Sequence, residues 1–426
     1  MIIVDTALKK RHQENNPLRV ALVGAGYMAR GIALQLITTP GISLVAISNR
    51  TISSAQRAYN DAGIDTVTTV ETVAALEQAI GQKKHAITDD ALLLAKAEGV
   101  EAIIEATGEI EFGARVVLKA IEHGKHIILM NSELDAVVGP ILKVYADRAG
   151  VMYTNSDGDQ PGVIMNLVRF VRGIGCQPVL AGNMKGLQDP YRTPETQKGF
   201  AEKYHQKPRM VTSFADGSKI SMEMAVVANA TGFKTGKRGM YGPSCKHVNE
   251  AANLFPVEQM LDGGLVDYIL GAEPGGGVFV IGYNENPIQQ RYLNYYKMGE
   301  GPLYVFYTPY HLCHFEVPNT VARLLLFGDA AATPLGAPVC DVITAAKRDL
   351  KAGETLDAIG GFTTYGVLEN SAVCQEQNLL PMSLAKECRL KRSINKDKII
   401  TYDDVDLPEG RLCDRLRAEQ NLFFST

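Results

Sequence analysis

The chain has 426 residues, 46% of them hydrophobic, and a formal net charge of −4, so it can bury a large core and its length favours two or three domains. Its basic residues are scattered rather than striped, which excludes nucleic acid as an expected partner, and no run approaches the ~18 uninterrupted apolar residues of a membrane span. The seven cysteines are odd in number and form no C-x-x-C pair, and the N-terminal MIIVDTALKKRHQENN carries charges where a signal peptide needs an apolar core; both point to a cytoplasmic protein with reduced thiols.

Leu18–Val23 reads as a buried parallel strand. It breaks at Gly24-Ala25-Gly26-Tyr27-Met28-Ala29, a G-x-G-x-x-A turn, before an apolar-periodic helix through Leu36 and a second strand over Ile42–Ser48. Strand, turn, helix and strand in that order predict a dinucleotide cradle. Gly24 allows the tight turn, Gly26 the approach of a pyrophosphate, and Ala29 close packing of helix on sheet. The second strand ends in Ser48-Asn49-Arg50-Thr51, without the carboxylate that usually holds the ribose of NAD. Asn49 and Arg50 therefore favour NADP(H), with Arg50 on the 2′-phosphate, unless Arg50 is only a solvated loop charge.

The α/β alternation continues with helices near Ser54–Ala62, over Asp90–Glu98 and over Phe112–Glu122, and strands over Val100–Glu105 and Lys125–Met130. A further unit has a helix Pro140–Ala149, a strand Val151–Asn155 and a helix Gly162–Gly173. This predicts a doubly wound parallel Rossmann sheet over 1–160. From Gln177 the pattern changes to strands such as Pro178–Gly182, Gly277–Tyr283 and Leu303–Tyr307, with a helix near Lys219–Ala230, which predicts an α+β substrate and oligomerisation domain over 161–337. The remaining 338–426 carries two similar pieces, A-K-x-x-L-K-A-G-E-x-L and A-K-x-x-x-L-K-x-x-I-N-K-D-K, that resemble the halves of a SAF domain, a small β-rich module to which no catalytic residue is assigned.

Reacting groups of open α/β sheets gather beyond the carboxyl ends of the strands. The loops there are Ala106-Thr107-Gly108-Glu109, Asn131-Ser132-Glu133-Leu134-Asp135 and Ser156-Asp157-Gly158-Asp159. Ala106, Thr107, Gly108 and Asn131 are expected to line the cofactor. Asp157 and Asp159 suit a divalent cation or an ammonium substrate, and equally a turn whose acids cap the next helix.

The run ILMNSELDAVVGP (Ile128–Pro140) with YTNSDGDQPGVI (Tyr153–Ile164) resembles the loops of homoserine dehydrogenase and, more loosely, of deoxyxylulose-phosphate reductoisomerase. Both families read A-N-K at the first loop, where this chain has Ser132, so neither activity carries over whole. The complete architecture is most similar to the deoxyxylulose-phosphate-reductoisomerase-like (DRL) oxidoreductases. The resemblance implies an NADP-dependent reductoisomerase of the isoprenoid-precursor kind, acting on a small phosphorylated hydroxy-ketone with Mg²⁺ or Mn²⁺. Homoserine dehydrogenase, or a related dehydrogenase of small hydroxy or amino acids, is the alternative, and a non-catalytic dinucleotide sensor is a third reading.

Loss of that lysine turns attention to others. Lys185 ends a predicted strand, and Lys219 and Glu223 share a helix face at i and i+4, as a catalytic pair or as a surface salt bridge. Asp216 and Lys219 resemble the Asp and Lys of homoserine dehydrogenases, where the lysine polarises the reacting oxygen. Lys185 or Lys219 is thus expected on the substrate carbonyl, with Glu133, Asp157 or Asp159 holding a cation or moving a proton. The basic loop Lys234–Ser244 offers Lys237 and Arg238 as a phosphate clamp, or is a solvated turn. His311-Leu312-Cys313-His314-Phe315-Glu316 has H-x-x-H-x-E spacing, which on a strand splits its histidines between two faces. A homodimer or homotetramer is expected.

Overall fold

In the computed structural model, which describes residues 4–425, the apolar runs of the first third form seven strands: β1 (Leu18–Val23), β2 (Ile42–Ser48), β3 (Thr68–Thr69), β4 (Ala86–Thr88), β5 (Ala102–Glu105), β6 (His126–Leu129) and β7 (Tyr153–Asn155). They make one parallel sheet in the order β3-β4-β2-β1-β5-β6-β7, so the strand order reverses direction between β1 and β5. Such a switch point opens a crevice at the carboxyl ends of the strands. Register places Val23 beside both Ser48 and Glu105, bringing the turns after β1, β2 and β5 to one level. Leu18, Val20, Leu22, Leu44, Ile47 and Ile104 are buried in its core with Ile32 and Leu36 of the helix Tyr27–Thr38. The expected doubly wound Rossmann sheet is present.

One helix starts earlier than the sequence predicts. Pro140, expected at a helix start, lies inside the helix Ser132–Arg148, whose N-cap Asn131 accepts a hydrogen bond from Leu134 N at 3.2 Å. The cap at Asn131 is locally satisfied, so the helix starts there and tolerates the proline within. Consequently Ser132, Glu133 and Asp135 stand in a first helical turn rather than a loop.

The chain divides into two compact units. The first comprises Met1–Gly162, Leu312–Thr333 and Arg415–Thr426; the second comprises Val163–His311 and Pro334–Asp414. The second contains a mixed sheet of β8 (Gln177–Lys185), β9 (Leu265–Leu270), β10 (Val278–Tyr283) and β11 (Leu303–Thr308) in the order β11-β10-β8-β9, with β8 and β9 parallel. Val179, Leu180, Met184, Phe255, Phe279 and Ile281 fill its core. The same unit carries the antiparallel pair β12 (Cys340–Ala346) and β13 (Thr364–Asn370) and the short pair β14 (Arg389–Leu390) and β15 (Val405–Asp406). Among the described residues no helix is long and apolar enough to cross a membrane.

Candidate functional site

The turn after β1 is held from both sides. Gly24 N donates to Ser48 O at 2.8 Å, and Ala25 N donates to Asn49 Oδ1 at 3.2 Å. Gly24 has φ +111°, and a Cβ there would lie 2.8 Å from Ala106 O, so a side chain is excluded by both conformation and contact. Gly26 faces open space and caps the helix Tyr27–Thr38 without a side-chain hydrogen bond, leaving the first amides of that helix directed at whatever anion settles there. Ala29 is buried beneath. An absent Cβ above an uncapped helix end fits a pyrophosphate. Tyr27 and Arg50 are exposed at the rim, and Arg50 has no ion-pair partner among the described residues.

Glu105, which the sequence reading passed over, sits fully buried at the end of β5. Its carboxylate accepts from Thr107 N at 2.9 Å, from the Thr107 hydroxyl, and from Asn131 Nδ2 at 2.9 Å. Burial pushes its pKa up, against those three donors. Two of the expected cofactor residues, Thr107 and Asn131, are thereby fixed to one carboxylate beside the cradle. The sequence signal was a lone acid ending an apolar strand. Glu133 is buried nearby in sequence, accepting from Ser132 Oγ at 3.4 Å, while Asp135 accepts from Tyr153 OH at 2.5 Å and Asn155 Nδ2 at 2.9 Å.

The two acids of the D-G-D turn part company. Asp157 is fully buried, with Arg323 Nη1 at 2.6 Å from Oδ1 and Thr320 Oγ1 donating to Oδ2 at 3.1 Å, so its charge is answered from within the first unit. Arg323 also meets Asp329 at 2.8 Å. A lone arginine inside the apolar stretch VPNTVARLLLF was the available signal. Asp159, 8% exposed, receives a long contact of 3.7 Å from the Cys313 thiol. The H-x-x-H-x-E segment forms turns leading into the helix Val317–Phe327, not a strand, and the His314 ring packs against Gly31 of the cradle helix. Among the described residues no group of three or more His, Cys, Asp or Glu is placed to hold a metal ion.

In the second unit Lys185, at the end of β8, lies 3.6 Å from Glu223 Oε2, which also accepts from Asn183 Nδ2 at 3.3 Å. Glu223 is buried and Lys185 and Lys219 are half-buried. The strand thus delivers Lys185 to the helix face that Lys219 and Glu223 share. Asp216, by contrast, does not serve Lys219. It is buried against Lys347 Nζ at 2.8 Å, and that ammonium spends its other hydrogens on Arg192 O (2.8 Å) and Gly361 O (2.9 Å). Arg238 is likewise committed, to Glu369 at 2.6 Å and Gln377 at 2.8 Å, whereas Lys237 lies over the Tyr241 ring. The basic loop is anchored below by buried Asp267, which accepts the amides of Tyr241, Gly242 and Tyr268, each at 2.8 Å.

Residues 158–317 match the family model described as oxidoreductase DRL, catalytic domain. No curated protein matches the sequence. Solved structures similar in fold include a putative NADPH-dependent oxidoreductase from Desulfitobacterium hafniense (13% identity, 74% of this chain and 89% of that one, TM-score 0.42). They also include a probable dehydrogenase from Thermotoga maritima (13% identity, 75% and 91%, TM-score 0.42). A third is the biliverdin reductase of Synechocystis sp. PCC 6803 (13% identity, 74% and 92%, TM-score 0.38). The catalytic-domain match, following a Rossmann sheet in the sequence, makes this chain an NAD(P)-dependent oxidoreductase.

Proposed function

We propose that the chain is a cytoplasmic, NADP(H)-preferring reductase of a small polar carbonyl compound, and the observation that carries the reading is the G-x-G-x-x-A cradle at the head of a Rossmann sheet that precedes, in the sequence, a matched oxidoreductase catalytic domain. Gly24, Gly26 and the first amides of the helix Tyr27–Thr38 would hold the pyrophosphate, with Asn49 fixing the turn and Arg50 on the 2′-phosphate. A bound nicotinamide would supply or accept hydride.

The chain's own part falls to Lys185. Its ammonium donates to the substrate oxygen and delivers the proton that balances the incoming hydride, while Glu223, braced by Asn183, orients the lysine. Lys219 anchors the substrate beside it. With Asp157 occupied by Arg323, no step is routed through a metal and carbon-skeleton isomerisation is left out of the reading. Asp159 and Lys237 remain candidates for polar groups of the substrate, a phosphate on Lys237 included. The SAF-like reading of 338–426 supplies structure only, through Lys347 under Asp216.

Titration with both nucleotides tests this. NADPH should bind at least tenfold more tightly than NADH, since a charge-assisted phosphate contact is worth about 1.5–3 kcal/mol, and Arg50→Ala should erase the preference. Equal affinities in the unaltered protein would remove the NADP assignment.

A further inference from the structure

Pro140 leaves a gap in the helix Ser132–Arg148 because it has no N–H to give and its ring pushes the preceding turn aside. The next rung carries a side chain. Ile141 N, whose helical acceptor is Val137 O, donates to Gln420 Oε1 at 3.1 Å, and Gln420 Nε2 donates to Val137 O at 3.1 Å. One primary amide, contributed by a residue far along the sequence, thus serves both the donor and the acceptor of the rung beside Pro140. Arg417 Nη1 adds a second donor to Val137 O at 3.1 Å. Both side chains are buried, Gln420 fully. Two turns on, Glu419 accepts from Tyr145 OH at 2.5 Å and Phe423 lies under the Arg148 guanidinium at 5.2 Å.

The segment this inserted amide orients is the first two turns of that helix. Asn131 there binds Glu105, Glu105 binds Thr107, and Ala106 O presses on Gly24. A continuous run of buried and part-buried hydrogen bonds and contacts therefore leads from Gln420 to the cradle, all of it inside the first unit. We propose that Gln420 is a positioning residue for nucleotide binding: its side-chain amide completes the proline-broken helix and so sets the level of Asn131 and Glu105 against the Gly24 turn. This rests on the nucleotide-binding reading above.

The test is a cycle of Gln420→Leu and Pro140→Ala, read by NADPH titration and by amide hydrogen exchange over residues 132–142. Leu at 420 leaves the Ile141 amide without its acceptor, so exchange should rise in that segment alone and NADPH affinity should fall about tenfold. Ala at 140 lets the helix close on itself, so it should return both readouts toward the unaltered protein in the Gln420→Leu background. Gln420→Glu keeps an acceptor for Ile141 N while Arg417 still serves Val137 O, and should bind NADPH nearly normally. If Gln420→Leu leaves 132–142 protected, loosens the whole unit uniformly, or combines additively with Pro140→Ala, the proposal fails; so it does if Glu at 420 behaves as Leu does. Should the unaltered protein not bind NADPH, the nucleotide reading falls, and the exchange pattern still decides whether Gln420 closes the helix.

Discussion

Replacing Asp135 by Asn should strip a pH dependence from the stability of the nucleotide-binding unit. Burial pushes the Asp135 carboxyl from 3.8 up to about 6, against the lowering effect of the Tyr153 and Asn155 hydrogen bonds. The unfolded chain releases this proton near 3.8 and the native state keeps it to about 6, so between those values the native state binds more protons and stability falls as pH rises. A gap of about two units at about 1.36 kcal/mol each sets the full effect near 3 kcal/mol, most of it developed between pH 4 and pH 7. Asparagine is uncharged throughout and still accepts the Tyr153 hydroxyl. Urea denaturation of both proteins across that range measures the effect: relative to Asp135→Asn, the unaltered protein should lose about 2–3 kcal/mol from pH 4 to pH 7. Other buried acids, among them Asp267, cancel in the difference. A difference that stays flat with pH would show that the carboxyl is ionised as readily inside as outside, and the burial argument would be wrong.

Removing Arg323 strands a fully buried carboxylate, so Arg323→Met should cost about 3–5 kcal/mol, and adding Asp157→Asn should return a good part of it; additive losses in thermal denaturation would deny that the two charges answer each other. Lys185→Met should lower the catalytic rate about 10²–10³-fold with NADPH affinity intact, since a donor to the developing alkoxide acts in the transition state, and near-normal turnover would place the chemistry elsewhere. A Cβ on Gly31 would stand 2.6 Å from His314 Cδ2, an overlap costing about 1–3 kcal/mol against about 1 kcal/mol gained in helix propensity. Gly31→Ala should therefore destabilise the protein, yet stabilise it once His314 is Ala; the same sign in both backgrounds refutes the contact.

What could be read from the chain follows the range of the forces involved. The strands Leu18–Val23 and Ile42–Ser48 and the glycine turn between them are fixed by local pattern, and they stand where expected. Pro140 misled because its local preference for a helix start was overridden by Asn131, whose cap is local too, and by Gln420, whose amide is not. The partners of the charged candidates were equally out of sight. Asp216 looked toward Lys219 by spacing and meets Lys347; Arg238 looked like an anion clamp and meets Glu369; Asp157 looked like a metal ligand and meets Arg323. In each case a buried charge took a counter-ion from a distant part of the sequence, because ionisation without one is too costly in the interior.

That same cost separates structural acids from candidate reacting ones. Glu105 and Asp135 are answered by neutral donors and have raised pKa values, and Asp157 by a guanidinium; all three are spent on holding the carboxyl edge of the sheet. Asp159 differs, because a thiol at 3.7 Å is a weak answer to a carboxylate that is nearly buried. In the second unit Lys185 and Lys347 differ in setting. Lys347 is buried and gives all three hydrogens to fixed acceptors at 2.8–2.9 Å, whereas Lys185 ends β8, half-buried, 3.6 Å from Glu223 Oε2. A group that must bind and release a substrate oxygen needs access to solvent and an oriented carboxylate beside it, and it is by this position at a strand end, rather than by charge or sequence spacing, that Lys185 is proposed for the chemistry and buried Lys347 for the scaffold.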